Sequence, residues 1–110
     1  MKGHMMLLKQ IYDLLETMNF HVGQQVGITK GFGKSMKHCT GKIIEIDKYF
    51  EVEVDQQCVG SDFPNSIKFG RNTFKELDAS FNPILKNACN MWSLQEYEKI
   101  VNAKNADKQK

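Results

Sequence analysis

The chain has 110 residues, of which 41% are hydrophobic and 25% charged, a balance that suits one soluble folded domain and excludes a disordered chain, a collagen-like fibre and a membrane-spanning bundle. Fifteen Lys and Arg against thirteen Asp and Glu leave a formal net charge of +2, too small for the global field of a nucleic-acid packaging protein, so any attraction to phosphate must be local. Cys39, Cys58 and Cys89 form an odd set with no C-x-x-C pair; with no signal-peptide pattern before them, they predict a cytoplasmic protein with reduced thiols and no membrane partner.

Met1-Lys2-Gly3-His4 reads as the remnant of a tag and is set aside. Residues 5–104 are expected to form one domain, with a flexible polar tail at 105–110. Over residues 5–19, Leu7, Leu8, Ile11, Leu14, Leu15 and Met18 recur at spacings of three and four, with Lys9, Gln10, Asp13 and Glu16 between them. This predicts an amphipathic helix packed on the rest of the domain.

After Asn19 the hydrophobic period falls to two. Val26 and Ile28, Ile44 and Ile46, and Phe50, Val52 and Val54 alternate with polar residues, and Ile67 and Phe69 flank Lys68 in a fourth run. These are strands with one apolar and one wet face, the second and third joined by a tight hairpin. Residues 71–77 are expected to form a short helical turn or a last short strand. Asn82 and Pro83 then have the look of an N-cap and a first helical position, followed by Ile84, Leu85, Ala88, Met91 and Trp92 as an apolar face. A capping box at Ser93-Leu94-Gln95-Glu96 starts a further helix. The expected fold is therefore α+β: a small antiparallel β-barrel over residues 22–77, flanked by an N-terminal helix and by two C-terminal helices within 82–104.

The runs Val22-Gly23-Gln24-Gln25-Val26-Gly27-Ile28-Thr29-Lys30-Gly31, Thr40-Gly41-Lys42-Ile43-Ile44-Glu45-Ile46 and Phe50-Glu51-Val52-Glu53-Val54 resemble KOW-type and related SH3-like barrels. The resemblance covers about half of the chain and leaves the flanking helices unaccounted for. It implies a binding module whose partners are RNA, DNA, ribosomes, RNA polymerase or, in close structural relatives, peptides. The loop from Phe32 to Thr40 is longer than is usual in that family.

The residues point the same way without the family. Lys30, Lys34, Lys37 and Lys42, with His38, occupy residues 30–42 without an intervening acid, and Gly31 and Gly33 flank Phe32. Ammonium groups neutralise phosphates and a ring stacks on bases. Lys30, Phe32, Lys34, Lys37 and Lys42 are thus candidate binding residues, with Arg71 as an accessory. The plainer account is a solvated loop whose lysines keep a sheet edge soluble. Glu45, Asp47, Glu51, Glu53 and Asp55 place acids on the outward side of the hairpin, so a nucleic acid would have to meet the loop and avoid that face. The alternative partner is a protein, as for a small phage- or accessory-element-encoded inhibitor or adaptor.

Enzyme chemistry finds little support. Gly33-Lys34-Ser35 ends like a phosphate-binding loop, but that motif requires glycine at position 28, which is Ile28. The cysteines and histidines lack the close pairing of structural zinc sites. Neither catalytic residues, metal nor cofactor are expected. Tyr49, Phe50, Phe63 and Phe69 could contribute to an aromatic cage, although Phe50 and Phe69 fit better as barrel filling.

Overall fold

The computed structural model describes residues 20–108; the segments at 1–4 and 5–19, with the N-terminal helix expected there, lie outside the described residues. Among the described residues five strands, β1 (Gln25–Lys30), β2 (Lys37–Ile46), β3 (Tyr49–Val54), β4 (Ser66–Gly70) and β5 (Cys89–Ser93), precede one helix, α1 (Leu94–Lys108). The strands form a single sheet in the order β4-β3-β2-β1-β5, and every neighbouring pair is antiparallel.

The alternation in the sequence decides which side of the sheet is dry. Val26 and Ile28, Cys39 and Ile43, Phe50, Val52 and Val54, Ile67 and Phe69, and Cys89 and Met91 all turn inward to one core, joined by Phe63 from the β3–β4 connection. Burying such a side chain contributes roughly 1.5–3 kcal/mol. A slip of one residue in any strand would turn its whole set outward, so register is strongly specified.

The sheet curls into a half-barrel because β2 serves two neighbours in turn. Residues 37–42 pair with β1 and residues 41–46 with β3, with an irregularity in register between Ile43 and Glu45 that bends the strand. The open side is laced by residues 74–77. Lys75 accepts from the Gly70 N–H at 2.9 Å and Leu77 donates to Lys68 at 2.8 Å on the β4 edge; Glu76 donates to Cys89 at 2.9 Å and Phe74 accepts from Met91 at 2.8 Å on the β5 edge. Backbone groups that would otherwise stand unpaired at both edges are satisfied in this way.

Three features depart from the sequence expectation. The sheet is a half-barrel followed by a single helix, not a barrel capped by two C-terminal helices. The segment read as the first of those helices instead forms a turn and β5, with Cys89, Met91 and Ser93 buried and Asn90 and Trp92 half-buried. Pro83 bridges to Leu77, and Asn87 takes a positive φ of 56° that no helix interior contains. The third departure is β2, which begins at Lys37, so the chain between β1 and β2 is shorter than the loop expected through Thr40.

The serine half of the expected capping box is present: Ser93 Oγ accepts from the Glu96 N–H at 3.3 Å, while the Glu96 carboxylate lies 3.5 Å from the Lys99 ammonium. Helix α1 continues to Lys108, through part of the stretch read as a tail. It packs on the outer face of β1, where the Tyr97 ring lies against Gly27 so closely that a Cβ there would come within 2.1 Å of Tyr97 Cγ. Beside this contact the Tyr97 hydroxyl and His38 Nδ1 share a 3.0 Å hydrogen bond, and Trp92 Nε1 donates to Thr29 Oγ1 at 2.8 Å. Lys104 Nζ donates to the Met36 carbonyl, fastening the helix to the start of β2.

Candidate functional site

The turn between β1 and β2 is short and held at its base. Lys30 and Lys37 stand opposite each other as the last paired residues of the two strands. Met36 is buried and its N–H donates to the Gly33 carbonyl at 3.2 Å, while Ser35 Oγ donates to the Phe32 carbonyl at 3.3 Å. Gly31 and Gly33 adopt φ of +78° and +72°, a region that side chains resist. Between them Phe32 is extended and its side chain is carried out of the fold, 88% exposed. Lys34, in the 3-10 turn Gly33–Ser35, is exposed beside it.

The turn faces residues 84–88 across a depression of about 500 Å³ whose lining includes Phe32, Lys75, Ile84, Leu85, Lys86 and Asn87 and no acid. Leu85 is 93% exposed. Two ammonium groups far away in sequence thus join those of the turn around two unburied apolar side chains. Neither side chain contributes burial to the fold, and together at one depression they form an apolar patch of the kind contact surfaces use.

The sequence-derived candidates do not all meet. Lys30, Phe32, Lys34 and Lys37 are together at the turn, although the Lys30 amine is partly engaged, donating to the Asp62 carbonyl at 3.4 Å. Lys42 is exposed midway along β2, opposite Gln25 on one side and Glu53 on the other. Arg71 is at the far end of β2 from the turn, where it donates to the Asp47 carbonyl at 3.0 Å. Sequence reasoning missed Lys75, Leu85 and Lys86. The helical reading of residues 82–92 had turned Leu85 inward; the available clue was Asn87, since Asn is among the few non-glycine residues that tolerate a positive φ.

The acids are arranged largely as expected. Glu45 and Glu51 are opposite one another on the hairpin, Glu53 is opposite Lys42, and Asp47 is at the tip. Asp55 differs, being half-buried and accepting a hydrogen bond from Thr40 Oγ1. The acidic side of β2–β3 and the lysine-bearing turn therefore occupy different ends of the sheet.

Burial dominates the state of the inward-facing thiols. It pushes the Cys39 thiol far above its usual range, with Cys58 adding to the effect. Burial, reinforced by Glu76, pushes Cys89 up to about 12. Both are protonated at neutral pH and poor nucleophiles. Burial also raises the Tyr97 hydroxyl. Among the described residues, no group of three or more His, Cys, Asp or Glu could hold a metal ion, and no helix is long and apolar enough to cross a membrane.

No family model, no curated protein and no solved structure matches this chain.

Proposed function

We propose that the protein is a non-enzymatic, KOW-like binding module that engages single-stranded nucleic acid, alone or within a nucleoprotein machine, through the β1–β2 turn. The observation that carries this reading is Phe32, 88% exposed on a turn with a fixed base, with Lys34 next to it on the turn, Lys37 opening the strand that follows, and Lys75 and Lys86 lining the same depression as the ring. A ring of this kind stacks on bases of any sequence while nearby ammonium groups follow the phosphates. Lys30 contributes through its charge. Lys42 and Arg71 are left out of this contact by their positions on the sheet.

Fluorescence anisotropy with a labelled single-stranded oligonucleotide tests the reading. Loss of one stacked base corresponds to about 1–3 kcal/mol, so Phe32→Ala is expected to weaken binding by at least fivefold. Lys34→Glu combined with Lys37→Glu should abolish binding at physiological salt. If both variants bind like the parent, the reading is wrong.

A second reading is favoured by one observation, the exposure of Leu85 beside Phe32. Two apolar anchors within a basic rim also suit an acidic protein surface. In that case Leu85→Ser would abolish capture of the partner, and capture would survive nuclease treatment.

A further inference from the structure

At the end of the sheet away from Phe32, the β2–β3 hairpin, the turn after β4 and the loop at 78–83 surround a second depression, of about 630 Å³. Its size falls within the usual range of small-ligand sites, about 300–1,000 Å³. Tyr49 and Phe81 stack there with ring centroids 5.4 Å apart and planes 18° from parallel. The Lys68 ammonium lies 4.8 Å from the centre of the Tyr49 ring and 5.5 Å from that of Phe81. Arg71 and Lys48 line the same depression, and Asp47 is the one acid among the lining residues.

The loop that carries Phe81 is held in a conformation that is costly for its sequence. Phe81 has a φ of +64°, unfavourable for a bulky L-residue and maintained only where the surroundings over-determine it. The surroundings do so here. Asp78 Oδ1 accepts from the Ser80 N–H at 2.8 Å and the Asn82 N–H at 3.0 Å, while the Asp78 carbonyl accepts from the Phe81 N–H at 2.9 Å. The product of this bracing is a ring 53% exposed to solvent. Covering Tyr49 would not require a backbone strained to leave half of the covering ring wet.

Cations stand beside the aromatic surface. Arg71 gives one donor to the Asp47 carbonyl, and the rest of its planar fork makes no hydrogen bond among the described residues. That fork matches phosphate geometry, and Lys48 supplies a second charge at the hairpin tip. We propose that this depression is a separate binding site for a nucleobase bearing a phosphate, the base stacking on Phe81 and the phosphate meeting Arg71 and Lys48. The unit can be a free mononucleotide or one residue of a single strand. The site stands on its own residues and does not depend on the Phe32 turn.

Titration of the isotopically labelled protein with adenosine, adenosine monophosphate and a short single-stranded oligonucleotide, followed by amide chemical shifts, tests the site. Shifts are expected at residues 47–49, 70–73 and 77–83. The monophosphate, or the oligonucleotide if the source is a strand, should bind about tenfold or more tightly than adenosine, as expected for a charge-assisted phosphate contact. Phe81→Leu keeps an apolar cover over Tyr49 but removes the ring, and should weaken binding about tenfold with an unchanged melting temperature. Arg71→Gln should remove the advantage of the phosphate. Equal binding of adenosine and its monophosphate and oligonucleotide forms, parental affinity in Phe81→Leu, or no shifts at these residues up to ~10 mM nucleotide would each overturn the proposal. The Phe32 turn reports through different amides, so a silent turn and a silent depression are told apart in the same titration.

Discussion

Gly27 has no room for a side chain, because the Tyr97 ring occupies the space a Cβ would need. Gly27→Ala should therefore lift α1 from β1 and lower stability by about 1–3 kcal/mol, the usual cost of overpacking, as read from the urea midpoint. The buried thiols add a pH dependence whose sign follows from their protons. In the folded chain Cys89 holds its proton up to about 12, whereas its ordinary value is 9.0, and Cys39 is raised further still. Above pH 9 the unfolded chain binds fewer protons than the folded one, so this contribution is complete below pH 9 and is lost as pH climbs toward 12. Urea midpoints should fall between pH 8.5 and roughly 10.5, and fall less when Cys39 and Cys89 are both replaced by Val. At this scale the sequence was informative where the chemistry is local. Glycines on both sides of Phe32 signalled a displayed ring, but nothing near Lys75 or Lys86 indicated that they would join it, since their approach depends on how residues 71–88 cross the sheet.

Strand β5 is the element that the sequence could not identify. Ile84, Leu85, Ala88, Met91 and Trp92 match a helical stripe, while Cys89, Met91 and Ser93 match strand alternation, and short apolar runs satisfy both templates. The choice is made by β1, whose free edge finds hydrogen-bond partners from Val26 to Lys30 only if residues 89–93 are extended. Asn87→Ala separates the two accounts. At a positive φ, alanine costs about 1 kcal/mol or more relative to asparagine, whereas in a helix interior it would stabilise by a few tenths; thermal unfolding of the variant is expected to show a loss. The start of α1 was legible because a capping box is a local device. Ser93→Ala should cost about 1 kcal/mol by removing the acceptor for the Glu96 N–H, measurable by the same unfolding experiment.

The whole molecule has two chemically distinct ends. The inward residues of β1, β3 and β4 were legible from the period of two, as was the acidic outer face of the hairpin, because alternation fixes which side of a sheet each residue occupies; in β2 the expected inward Ile44 is 42% exposed and Ile43 is buried in its place, because the register shifts between Ile43 and Glu45. The separation of Arg71 and Lys42 from the turn was not, since it follows from a register and a bend in β2 that no short sequence window encodes. In the proposed function, Lys34, Lys37, Lys75 and Lys86 form one cationic rim around Phe32, and binding there releases counterions from the strand. The most direct test is the salt dependence of oligonucleotide affinity. Four phosphate contacts on a single strand give an expected log–log slope of about −3, which should fall by about half in magnitude when Lys75 and Lys86 are both replaced by Gln. A slope near zero, or one that those replacements leave unchanged, would contradict the placement of the strand on this rim.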